Sequence, residues 1–366
     1  MHKRIAAIGL NLIPEVRFLL NKKIIAHGNP SEIFLLSVEE LTFFLGCTSE
    51  VAQKIKNGDW LAMAEQETAK AKELDINIYT YFDKEYPSAL KVIDYAPLVL
   101  YVKGDHSVVN ELSIAVVGTR YPTVYGMNAT EKLVFELAKK GLIIVSGLAR
   151  GIDAIAHKTC MKAGSKTIAV LGCGISIDYP KENAPLKHEI STKGALISEF
   201  SINCKPYKDN FPLRNRIISA LSAGVLVVEA SDRSGALITA RYALEQGKEV
   251  FAVPGSIFSL QSLGTNYLIK KGHAKLIQKT DDIIEEIPHY LKKHTKLKIE
   301  SPLIEINPEE KFILNSLPTE ETIYLDDLSL LTDLKPAALL PILLQLELKG
   351  LIIQMQGQRY YRKVMV

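Results

Sequence analysis

Apolar residues recur at helical spacing in EIFLLSVEELTFFLG and again in WLAMAEQETAKAKEL, with turn residues at Gly28-Asn29-Pro30, Gly46 and Asn57-Gly58 between the runs. Residues 1–78 therefore read as a small domain of short helices. The stretch INIYTYFDKEYPSALKVIDYAPLVLYVKGD is β-rich at both ends, carries Pro87 and Pro97, and reads as a lead-in strand. From Leu112 the period changes. Apolar runs IAVVG (114–118), LIIVSG (142–147), TIAVLG (167–172), ALISE (195–199), GVLVVEA (224–230) and EVFAVPG (249–255) alternate with helical segments. Each run is nearly continuous, as parallel strands buried on both faces require, so residues 79–288 are expected to form an open, doubly wound α/β sheet of Rossmann-like type. A cation-rich, apolar-poor linker follows over 289–304. In residues 305–366 the helical runs EEKFILNSL and PAALLPILLQLELKG precede LIIQMQGQRYYRK, a hairpin pattern, which is the element order of a winged-helix-like domain.

In such sheets ligands bind beyond the carboxyl ends of the strands. The strand ends at Gly118, Gly147, Gly172 and Gly255 are thus where function is to be sought. Composition narrows the classes of ligand only a little. With 47% hydrophobic and 23% charged residues the 366-residue chain has enough apolar material to fold without a partner. Its net charge of +3 means that a nucleic-acid site must come from locally clustered Arg and Lys. Cys47, Cys160, Cys173 and Cys204 show neither CxxC pairing nor zinc-ligand spacing and read as reduced cysteines of a cytoplasmic protein; no metal or cofactor site is expected. The opening MHKRIAAIGLNLIPEVRF has only a short apolar run, so neither secretion nor a membrane span is expected.

The candidate chemistry lies in the junctions. VVGTRYPTVYG (116–126) is a strand, a glycine turn and a helix start, where backbone N–H groups and the helix dipole favour an anion; Gly118, Thr119 and the guanidinium of Arg120 are the candidates, against simple tight packing with Arg120 in solvent. The GxGxxG spacing of a dinucleotide site is absent. In SGLARGIDAIAH (146–157), Ser146, Gly147 and Gly151 would let amides approach a phosphate and Arg150 adds a cation. Asp153 and His157, four apart on the next helix, make an incomplete metal site, and Asp153 suits the helix dipole instead. KPYKDNFPLRNRIISALSAGVLVVEA (205–230) interleaves Lys205, Lys208, Arg214 and Arg216 with Tyr207 and Phe211; Asn215 lies between the arginines. Cations among aromatics suit an unpaired strand, whose phosphates they neutralise while a ring stacks a base. The competing reading has Phe211 and Pro212 anchoring the loop and Arg216 paired with a carboxylate such as Glu229. Ser234 and Gly235 open a further helix whose N-terminus would hold a phosphate, with Thr239 in the lining.

Taken in order, VGTRYPTVYG, SGLARGIDAIAH, AVLGCGISIDYP, FPLRNRIISALS, VLVVEA, SGALITA and VFAVPG followed by LGTN resemble the DNA-processing protein A (DprA/Smf) family, strongly over roughly residues 80–285. The resemblance implies a non-catalytic protein with a SAM-like N-terminal domain, which binds single-stranded DNA in a positive pocket, forms a homodimer through its Rossmann-like domain and helps load the RecA recombinase during natural transformation. Carried over, the pocket arginine is Arg120, the lysine Lys208 and the aromatic Phe211. Thr119, where many relatives have Ser, and Leu148, where many have a second Gly, depart from the family pattern. Residues 305–366 hold nine acids against six Lys or Arg, and PAALLPILLQLELKG scarcely has a cation, so a protein-contact or structural role is expected there.

Two other readings compete. A phosphoribohydrolase-like nucleotide-processing enzyme would use the same kind of pocket, but its PGGxGTxxE-type signature is missing: VPGSIF and LGTN stand apart without the catalytic Glu. An interaction scaffold without DNA binding is disfavoured by the Arg and Lys cluster.

Overall fold

The computed structural model describes residues 3–18, 20–287 and 306–363; the linker expected at 289–304 lies outside them. Six helices fill the N-terminal region, Lys3–Leu12, Asn21–His27, Pro30–Ile33, Val38–Leu45, Ser49–Asn57 and Trp60–Glu73. Their starts follow from short polar side chains: Ser37 and Glu40 form a reciprocal capping box, and Thr48 accepts from Val51 N–H. Their apolar faces do not close on themselves. Ile8, Leu10, Ile55 and Ala64 share one core with Tyr101, Ala169, Leu171 and Leu196 of the sheet domain.

Nine strands form the central sheet: β1 (Asn77–Thr80), β2 (Val99–Gly104), β3 (Ser113–Val117), β4 (Ile143–Ser146), β5 (Thr167–Val170), β6 (Ala195–Ser198), β7 (Gly224–Val227), β8 (Glu249–Ala252) and β9 (Lys275–Leu276). Their order is β1-β2-β6-β5-β4-β3-β7-β8-β9. From β6 to β9 every pairing is parallel, while β1, β2 and β6 pair antiparallel, so the expected lead-in strand is a pair of strands that closes one edge. The near-continuous apolar runs are explained by burial on both faces. Ile114 and Val116 of β3 face Leu133, Leu137 and Ile152, whereas Ala115 and Val117 face the opposite core with Ile217, Ala220 and Ala240.

The chain leaves β3 toward β4 on one side and later returns to β7 on the other. The carboxyl ends of β3 and β7 therefore flank the topological switch point, where doubly wound sheets bind ligands. After Ile306 a separate apolar core gathers helices Pro308–Ser316, Leu325–Thr332 and Pro336–Leu348 with β10 (Ile323–Tyr324), β11 (Ile352–Met355) and β12 (Arg359–Arg362), a winged-helix arrangement. Two helices were expected; LDDLSLLT supplies a third between them. This unit rests on helix Val124–Lys139 through Asn128, whose Nδ2 donates to the Thr319 carbonyl at 2.7 Å, and through Lys363 and Glu131 at 2.9 Å.

Candidate nucleic-acid interface

The carboxyl rim of the sheet opens into two adjoining cavities of about 560 and 570 Å³. Arg120, Tyr121, Tyr179, Phe211 and Arg214 line both, so the cavities make one continuous hollow. Phe211 stands at its centre, its ring 5.2 Å from that of Tyr179. It fits because residue 172 is glycine: a Cβ there would lie 2.6 Å from the Phe211 ring.

The expected amide cradles at the first two junctions are filled from within. Glu229, just past β7, accepts from Thr123 N–H at 2.9 Å and from the Thr123 hydroxyl at 2.5 Å, placing a carboxylate at the start of helix Val124–Lys139. Gly126 makes room for it, since a Cβ there would meet Glu229 Oε2 at 2.1 Å. Asp153 accepts from the N–H groups of Gly147 at 3.1 Å and Ala149 at 3.3 Å. Burial pushes the carboxyl groups of Asp153 and Glu229 above their ordinary range, opposed by these hydrogen bonds and, at Asp153, by Arg214. A phosphate would thus meet carboxylates rather than free amides at Thr123, Gly147 and Ala149, while Gly118 and Gly151 serve close packing: a Cβ would lie 2.6 Å from Ile152 Cγ1 at the first and 2.4 Å from the Thr119 carbonyl oxygen at the second. The start of helix Ala236–Glu245 differs: Ala236 N–H is met only by the Ser234 hydroxyl at 3.3 Å, Gly235 has open space beside it, and Thr239 borders the same cavity.

The cations divide in the same way. Arg120 and Lys208 are exposed on the hollow and make no ion pair or side-chain hydrogen bond among the described residues. Arg233, on the same rim, is 94% exposed with its nearest carboxylate, Asp232, 4.0 Å away. Arg150 borders the hollow but is tied to Glu182. Arg214 is buried, donating from Nη1 to the carbonyls of Gly147 and Val170, and burial lowers its pKa to about 10. It joins the ends of β4 and β5 and forms the floor of the hollow. Asn215 accepts from Arg214 Nε at 3.1 Å and donates to the Gly235 carbonyl at 3.3 Å.

Arg216 does not reach the hollow at all. It is 2% exposed and pairs with Glu199, not Glu229, through Nη1 at 2.7 Å and Nη2 at 2.6 Å, while Nε donates to the Tyr95 carbonyl. One helical residue separates its direction from that of Arg214, and Glu199 waits on the other side at the end of β6. Ser146 is likewise fully buried and donates to the Val116 carbonyl at 2.7 Å, so it supports β3 instead of facing a ligand.

Asp153 and His157 form no pair. His157 Nδ1 lies 2.7 Å from the Thr167 hydroxyl, which itself donates to the Ile144 carbonyl, so Nδ1 carries the proton; burial drives the imidazole pKa down to about 3. Among the described residues no group of three His, Cys, Asp or Glu is placed to hold a metal, and no helix is long and apolar enough to cross a membrane. Burial raises the Cys173 thiol to about 11, the direction that suppresses a thiolate. Not evident from the sequence pattern are Arg233 and two lining aromatics, Tyr121 (71% exposed) and Tyr179 (40% exposed). For the two tyrosines the signal is an aromatic directly before a proline in the segment that follows a strand, in GTRYP and IDYP.

Residues 77–288 match the family described as DNA recombination-mediator protein A. The chain belongs to this family. Residues 300–358 match the DprA winged helix domain. DNA processing protein DprA of Bacillus subtilis is 46% identical over 221 residues, covering 60% of this chain and 74% of that protein. Protein Smf of Synechocystis is 38% identical over 314 residues, 77% of this chain and 79% of the relative. Among solved structures, DNA processing protein A of Streptococcus pneumoniae superposes with a TM-score of 0.67 at 35% identity, over 76% of this chain and 96% of that one. The Helicobacter pylori protein, whose structure was described for its single-stranded DNA binding mode, gives 0.54 at 33% identity, over 60% of this chain and 97% of that one. The DprA/Smf architecture of helical region, Rossmann-like sheet and winged helix is therefore that of this chain.

Proposed function

We propose that the rim hollow holds an unpaired DNA strand, with Arg120 and Lys208 on its phosphates, the start of helix Ala236–Glu245 as a further phosphate contact, and Phe211, Tyr121 and Tyr179 against its bases. The observation that carries this reading is the pairing of charge: at the switch point two cations stand without carboxylate partners beside exposed rings. Guanidinium and ammonium groups match phosphate, and a base must be unpaired before it can stack on a ring. Gly118, Thr119, Gly147, Asn215, Gly235 and Thr239 line the wall, Arg214 forms the floor, and Gly151 packs beneath the Thr119–Arg120 backbone. The hollow offers no nucleophile with an adjacent base, so binding without catalysis is the reading that fits it.

Family membership supports the wider role: a cytoplasmic mediator that protects incoming single strands in natural transformation, helps load RecA and works as a homodimer through the sheet domain. We divide the chain into a helical unit, 1–78, a DNA-binding sheet unit, 79–288, and a winged-helix unit, 305–366. The test is a competition between a single strand and the duplex of the same sequence at fixed salt. The single strand is expected to bind at least about tenfold tighter, the worth of one stacked base; equal affinity would overturn the reading.

A further inference from the structure

The loop that precedes helix Asn210–Leu221 is a ridge with two working faces. Pro206 and Lys208 border the rim hollow, whereas Lys205, Tyr207 and Asp209 border a second cavity of about 540 Å³ on the far side. The segment turns tightly, Tyr207 N–H donating to the Lys205 carbonyl at 2.9 Å and Asn210 N–H to the Tyr207 carbonyl at 3.1 Å, and its successive side chains border one cavity and then the other. The opposite wall of this second cavity comes from the N-terminal region, at Pro14, Arg17 and Phe18.

Its chemistry repeats that of the rim. Tyr207 is 60% exposed, and its ring meets no other aromatic ring among the described residues. Lys205 is exposed and makes no ion pair among them. Arg17 gives Nε to the Asn11 carbonyl at 3.1 Å and lies 5.3 Å above the Phe200 ring, and its guanidinium makes no ion pair among the described residues. Two acids share the lining, but Glu199 is already held by Arg216, and Asp209 sits at the outer, exposed end.

We infer that the bound strand crosses this ridge and continues into the cleft between the sheet domain and the N-terminal helices, with Lys205 and Arg17 on its phosphates and Tyr207 stacking a base. The inference rests on the reading of the rim as a single-strand site and extends it in length. Continuity favours a strand over any other occupant, because Lys208 and Tyr207 are adjacent residues on the two sides of one ridge.

The test uses the full chain and oligothymidylates of stepwise increasing length, followed by fluorescence anisotropy at fixed salt, with the double variant Lys205→Ala/Tyr207→Ala beside the natural protein. On strands short enough to fill only the rim, the two proteins should bind equally. Beyond that length the natural protein gains affinity, and the variant should fall behind by roughly tenfold, the loss of one stacked base. Lys205→Arg/Tyr207→Phe should restore the gain, and thermal melting of both variants should match the natural protein. Superimposed curves at every length, or a variant weakened equally at all lengths, would overturn the second segment while leaving the rim intact. Absence of binding by the natural protein at any length would instead sink the rim reading itself.

Discussion

Arg120 and Lys208 on the rim and Arg214 and Arg216 inside helix Asn210–Leu221 come from the same family of motifs, yet the fold treats them as opposites. The first two face an open hollow without a carboxylate. The last two are buried, one bridging strand ends through their carbonyls and the other locked onto Glu199. A cation count from sequence measures charge; only pairing and burial determine which charge a ligand can use. The C-terminal unit makes the same point from the other direction. Its helix Pro336–Leu348 occupies the place where a winged helix would read a groove, but it presents Leu340, Leu344 and Leu348 to solvent and contains no Lys or Arg.

The comparison breaks most sharply at Arg216. Arg216→Ala would leave Glu199 buried without its partner, and chemical denaturation should show a loss of about 3–5 kcal/mol. The exposed Arg120→Ala should stay within about 0.5 kcal/mol of the natural protein in the same measurement. A small effect at Arg216 would mean that the buried pair does not organise this helix.

Phe211→Ala comes next. It removes the central ring of the hollow and should lower single-strand affinity by about 1–3 kcal/mol, read by anisotropy, with no change in the salt dependence because no charge is lost.

A third contrast is acid sensitivity. The folded pKa of His157, about 3, lies below the ordinary value of 6.5, so the unfolded chain binds the extra proton first. The stability that goes with neutral His157 is complete above pH 6.5 and should be lost as pH falls from there toward 3, by up to about 1.4 kcal/mol per pH unit. Denaturation curves taken through this range should show that slope, and His157→Asn should flatten it. The smallest effect is expected in the C-terminal unit: Lys335→Ala, at the entry to helix Pro336–Leu348, should change single-strand affinity by less than about twofold, as for a surface charge off the path.

Much of this was legible in the chain itself. Runs such as IAVVG and TIAVLG mark doubly buried strands because their apolar residues are continuous, and the glycines that end them place the hollow at the carboxyl rim. What stayed hidden depends on strand order. Glu199 reaches Arg216 only because β6 lies where it does, and Tyr121 and Tyr179, distant in sequence, line one hollow because β3 and β5 end on the same rim. By sequence alone Glu229 is a candidate partner for Arg216 and Asp153 a residue that suits the helix dipole. Their work as internal anions on backbone amides needed the folded turn to become visible. LDDLSLLT escaped as a helix because eight residues with two adjacent acids give too short an apolar period to separate it from a loop.

The measurement that bears most directly on the rim is the slope of log affinity against log salt for an oligothymidylate, taken for the natural protein and for Arg120→Ala/Lys208→Ala. Each phosphate contact on a single strand contributes about 0.7 to that slope, so the double variant should bind more weakly and with a slope shallower by about 1.4. An unchanged slope would show that these two cations do not hold the phosphates, and would contradict the account.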